Sequence, residues 1–132
     1  MRKLLQRTML DTFSAPSGVV TGVAVYTTQF QPIDSFESCM IQLAWTGSPT
    51  ATVSLEISAD AVPPLGYSSG SSLPQPVVFD TLSGSAQSTT GTNVITYEVL
   101  HTDAQWIRVK WTNASGAGVV TSIRLVAKGS MV

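Results

Sequence analysis

A chain of 132 residues with a formal net charge of −1 has room for one hydrophobic core and not two, and its charge balance leaves no broad basic surface for nucleic acid. A single cysteine, Cys39, excludes an intrachain disulfide framework. Only 11% of the residues are charged and the mean hydropathy is +0.23, so the surface is hydroxylic and weakly protected against association, as suits a chain that works inside an assembly.

Residues 1–18 read as an N-terminal arm. Arg2, Lys3 and Arg7 place three bases in the first ten residues with no acid, whereas the rest of the chain carries four bases against eight acids. Leu5, Met9 and Phe13 recur at every fourth position beside Leu4 and Leu10, the spacing of a short amphipathic helix. Ser14 to Gly18 then cuts the segment off from the first strand, so an extended arm that orders only against a neighbour accounts for it equally well. In either form Leu4, Leu5, Met9, Leu10 and Phe13 are the expected apolar contacts with a partner, and Arg2, Lys3 and Arg7 are expected to meet acidic groups. Three charges are too few to favour nucleic acid. Gln6 and Arg7 interrupt the apolar stretch, so the start reads as mature protein, and no run reaches the length that crosses a bilayer.

Residues 19–132 read as one β domain. Alternating apolar residues mark strands at 19–27, 37–46, 52–58, 77–82, 94–100, 106–112 and 119–128, nearly all separated by turn residues. One pattern occurs twice. Ile41, Leu43 and Trp45 lead into the turn Gly47-Ser-Pro49 and a second alternating run at Val53, Leu55 and Ile57. Sixty-six residues after Ile41, Ile107, Val109 and Trp111 lead into Asn113 to Gly118 and a run at Thr121, Ile123 and Leu125. Each half reads as a β-hairpin with its tryptophan on the buried face. The expected architecture is an all-β, antiparallel two-sheet sandwich or jelly roll of about seven to eight strands, with a closed barrel as the competitor. Trp106 falls on the opposite face from Trp111, beside Arg108 and Lys110; it either caps the end of the sandwich or serves as a partner contact. Residues 59–76 and 83–93 read as projecting loops.

Catalytic chemistry is hard to assemble from these residues. His101, the only histidine, stands two residues before Asp103, and nothing else of metal-ligating kind is grouped near them; no metal or cofactor is expected. Cys39 lies at the start of an alternating strand, where packing outweighs nucleophilicity. No serine sits in a nucleophile elbow, no glycine-rich loop precedes a helix, and Asp60 reads as a turn residue. Asn113-Ala-Ser115 fits an N-glycosylation acceptor, a pattern short enough to recur by chance. Tyr67, Trp106 and Tyr97 offer a second functional reading, a sugar-stacking platform.

Two segments carry a resemblance. Met40 to Asp60, with Trp45-Thr46-Gly47 before the turn and Ser58-Ala59-Asp60 after it, and Trp106 to Thr121, with Arg108-Val-Lys-Trp111-Thr112, resemble small β-sandwich virion structural proteins of tailed bacteriophages, of the capsid decoration or cement type. The likeness spans roughly residues 36–129. Ala59 stands where an Asn often does, and Pro63-Pro64 replace an aromatic. The resemblance implies a non-enzymatic component of the virion, a small homo-oligomer with a trimer favoured. Its partners would be the major capsid protein or other virion proteins, and its work would be to bridge capsomers. The alternative is a carbohydrate-binding or adhesive module of a fibre, spike or tail.

Overall fold

In a computed structural model the chain is described at residues 4–62, 75–100 and 102–129. It is a sandwich of two antiparallel sheets. Seven strands have four or more residues: β1 (Leu4–Thr8), β3 (Ala24–Thr27), β5 (Ser38–Gly47), β6 (Thr50–Ser58), β9 (Val94–Val99), β10 (Trp106–Ser115) and β11 (Ala117–Lys128). Four shorter ones fill in the edges: β2 (Val19–Thr21), β4 (Gln31–Pro32), β7 (Asp80–Thr81) and β8 (Gln87–Ser88). The first sheet runs β1-β11-β5-β9 with β2 also on β11; the second runs β3-β10-β6-β7 with β4 on β10 and β8 on β6.

The core lies where period-2 alternation places it. Ile41, Leu43 and Trp45 of β5 and Ile123 and Leu125 of β11 face Val53 and Leu55 of β6 and Ile107, Val109 and Trp111 of β10, all buried. Trp45 and Trp111 meet edge to face at 5.2 Å between ring centroids, on an interplanar angle of 84°. The indole N–H of Trp111 is satisfied by Asn113 Oδ1 at 3.1 Å.

The doubled pattern is not a pair of hairpins. β5 pairs with β11 from Ser38↔Lys128 to Gly47↔Gly118, and β6 pairs with β10 from Ser58↔Trp106 to Thr50↔Ser115, so each half of the repeat sends one strand into each sheet. The Gly47-Ser-Pro49 turn is an arch that crosses the core, and the turn at Gly116 is another. Hydrophobic burial explains the exchange. A hairpin would lay both Trp-bearing strands beside their own successors in one sheet, whereas the arches stack four apolar faces into a single core.

Two further expectations change. The segment read as 19–27 breaks at Gly22, where φ is +67°, so that β2 joins the first sheet and β3 the second. The N-terminal segment is neither a helix nor free of the sandwich. β1 pairs along β11 from Leu4↔Lys128 to Thr8↔Arg124, and a 3-10 turn (Leu10–Thr12) carries the chain on to Phe13.

Candidate functional site

The structure separates the arm residues singled out by sequence. Met9 is fully buried and Phe13 nearly so, both within the chain's own core. Their expected role as insertions into a neighbour is corrected: β1 brings Met9 under β11, where its N–H donates to the Ile123 carbonyl at 2.7 Å, and Phe13 packs on Tyr26. Leu5 and Leu10 are half-buried against the same core. Leu4 and Arg7 remain exposed, while Arg2 and Lys3 lie outside the described residues, as do Pro63-Pro64, Tyr67 and His101.

Trp106 is also corrected as a surface contact. It is 1% exposed, and its indole N–H donates to the Asp60 carbonyl at 3.0 Å. Its neighbours on the outer face of the second sheet, Glu56 and Ser58, are buried as well. The cause is the long connection after β6, whose two feet fold back over the sheet. Asp60 Oδ2 accepts the backbone N–H groups of Val77 at 2.7 Å and Val78 at 3.0 Å, and the Ser58 hydroxyl donates to the Val78 carbonyl. One carboxylate that read as an ordinary turn residue thus ties the two feet together.

Beside this clamp stands a cluster that sequence reasoning did not assemble. Arg108 and Glu56 are cross-strand partners on β10 and β6. The guanidinium donates from Nε at 2.8 Å and Nη2 at 2.7 Å to Glu56 Oε1. Its carbon lies 4.4 Å from the Phe30 ring centre and 4.6 Å from that of Phe79, and the two rings are 5.3 Å apart. Phe30 is buried and Phe79 is 42% exposed. Next to Phe79 opens a cleft of about 280 Å³, rimmed by the hydroxyls of Thr12, Ser14 and Thr28. All three are occupied by backbone: Thr12 Oγ1 accepts the Gln29 N–H, Ser14 Oγ the Thr27 N–H and Thr28 Oγ1 the Val109 N–H. The signals were present in part. Alternation placed Arg108 on the outer face, but its partner Glu56 comes from a strand pairing that alternation does not reveal, and Phe30 and Phe79 reach the pair from outside the main strands.

What stands out on this side is apolar. Val77 is 85% exposed, Val78 71% and Phe79 42%, three consecutive side chains held by the Asp60 clamp and by the stack on Arg108. Cys39 and Tyr97 are both held in their protonated forms by burial. Burial pushes the Cys39 thiol up to about 11, and it raises Tyr97, whose hydroxyl donates to the Val53 carbonyl at 2.8 Å, well above the usual phenol range. Asn113 is 1% exposed, with its side-chain amide donating to Gly22 and Gly116 carbonyls, and so is closed to a glycosylating enzyme. Among the described residues no three of His, Cys, Asp and Glu come together as a metal site.

No protein-family model matches the chain, and no curated protein matches it in sequence. Among solved structures, it has a likeness to the enzymatically active domain of tailspike protein 4 of bacteriophage CBA120, with a TM-score of 0.34 and 12% identity. The match covers 98% of this chain and 19% of that one, so this chain spans only a small part of the tailspike's length. A likeness of that size bears on neither activity nor substrate.

Proposed function

We propose that the chain is a structural protein of a phage virion, of the decoration or cement type, which binds the outer shell as a small homo-oligomer and stiffens it by bridging capsomers. The resemblance of Met40 to Asp60 and Trp106 to Thr121 to such proteins supports this reading. So does the low charge. The observation that carries it is the run Val77-Val78-Phe79: apolar side chains exposed to solvent on a connection whose backbone is tied down by Asp60 and whose Phe79 ring stacks on Arg108 are already ordered for an interface, so less conformational entropy is lost on docking. Leu4 and Arg7 are the arm residues still available to a partner. Each contact is small, and many copies bound at once sum to a stable coat.

The test is made on particles of the virus that encodes the chain. Particles assembled without it are expected to rupture at lower temperature, to regain stability when the purified protein is added back, and to gain nothing from a folded Val77→Asp/Val78→Asp variant. Unchanged rupture without the protein would end the reading. A second reading, a carbohydrate-binding or adhesive module, draws on the half-exposed Phe79 ring at the cleft and no longer on Trp106, which is buried. Binding on a glycan array that disappears with Phe79→Ala would favour it.

A further inference from the structure

The first sheet ends in two strands that each pair on one side only. β9 pairs with β5 and β1 with β11, and among the described residues no strand lies beyond either. Neither strand contains proline or lysine, the usual guards of an open edge, and β9 carries a single charge, Glu98. The direction of the open backbone groups can be read from the flanking bonds. Asn93 accepts the Trp45 N–H at 3.1 Å, so its alternates Ile95, Tyr97 and Val99 face β5 and the groups of Val94, Thr96 and Glu98 point away. The Thr92 hydroxyl takes both groups of Val94, leaving Thr96 and Glu98. On β1 the Met9 N–H bonds Ile123, so the backbone groups of Leu4, Gln6 and Thr8 point outward, and the Gln6 carbonyl accepts from the exposed Arg7 guanidinium at 3.2 Å, a contact the side chain gives up when a strand docks.

These edges fit each other. All three pairings from β1 to β9 are antiparallel, so β9 runs opposite to β1, and a second copy in the same orientation presents its β1 antiparallel to β9. In one register Gln6 stands opposite Glu98 and Thr8 opposite Thr96, which joins outward groups to outward groups, with the Glu98 N–H replacing the Arg7 side chain on the Gln6 carbonyl, and keeps the outer faces flush. That register also sets Leu4, 57% exposed, on Leu100, 66% exposed and next to the exposed Met40. It sets half-buried Leu5 on half-buried Val99, and Arg7 on the Tyr97 ring position. We infer that β1 of one copy adds to β9 of the next, so that the first sheet continues from chain to chain and closes into a ring with no open edge. A two-fold pairing of β9 with β9 would leave both β1 edges exposed.

This goes beyond shell binding and needs no shell, so a negative result here leaves the particle experiment to decide the other question. Light scattering on the purified protein is expected to give a whole-number multiple of 13.9 kDa, three or more. Glu98→Pro removes an N–H that points away from β5 and that no neighbour among the described residues uses, and is expected to give a folded monomer by circular dichroism and mass. An oxidised mixture of Gln6→Cys and Glu98→Cys proteins is expected to form a disulfide between the two variants, and neither variant alone is expected to link with itself. A monomeric wild type, a folded Glu98→Pro protein of unchanged mass, or self-linking of either variant would overturn the inference.

Discussion

Cys39 shows how far burial alone decides the chemistry of a residue. Its side chain lies at the end of β5, where the charged thiolate would lose hydration, and the folded pKa rises from 9.0 to about 11. A group whose pKa is higher in the folded state contributes its full stability below the unfolded value and loses it above. Between pH 9 and about 11 the unfolded chain holds fewer protons than the native one, so stability falls by about 1.4 kcal/mol per pH unit from this group, with Tyr97 adding to the fall at the alkaline end. Urea titrations at pH 8, 9, 10 and 11 should show the decline, and Cys39→Val should remove the part that begins near 9. Trp106 teaches the complementary lesson. Alternation placed it correctly on the outer face, but exposure depends on what lies over a face, and the Asp60 clamp that covers it joins residues 17 positions apart.

At the scale of elements, strand positions and inward faces were legible because a half-buried strand must alternate, as β5, β11 and β10 beyond Trp106 do; β6 alternates in sequence but from Val53 on is covered on both faces. Partners were not legible, since alternation records which face is wet and says nothing about which strand lies alongside. The arches were hidden for that reason, and so was β1, whose Leu5, Met9 and Phe13 spacing imitates a helix while the chain reaches the core through a strand and a 3-10 turn. Of the candidate site, only the outward position of Arg108 was legible; its pairing with Glu56, the clamp and the phenylalanine stack were not. The arch at Gly47 makes a local demand that can be measured. Gly47 has a φ of +86°, and a Cβ there would stand 2.9 Å from the Ala117 carbonyl oxygen. Gly47→Ala is therefore expected to cost about 2 kcal/mol in the denaturant midpoint, more than a glycine replacement on an open turn.

For the molecule as a whole, the long-range character of the pairing governs how it forms. β5 has to find β11 across more than half of the chain and β6 has to find β10 across more than a third of it, so closure entropy is met before much apolar surface is buried. Folding should be slow for a chain of this size, on the order of milliseconds to seconds in stopped-flow fluorescence of the tryptophans. Truncation follows the same logic. Removing residues 1–13 takes away β1, Met9 and Phe13, and with them part of the core, so the sandwich itself is expected to lose stability.

The exchange of strands between the two halves makes the chain behave as a clasp of two pieces. Everything up to Val62 supplies β1 to β6, and everything from Gln75 supplies β7 to β11, so neither piece owns a complete pair of facing sheets. Cleaving the backbone between these positions should leave two fragments that are unfolded apart and restore tryptophan fluorescence and a cooperative melt when mixed. The two pieces would then hold together through strand pairings, β5–β11 and β6–β10 foremost, and through the Asp60 clamp, which itself joins a residue of the first piece to Val77 and Val78 of the second.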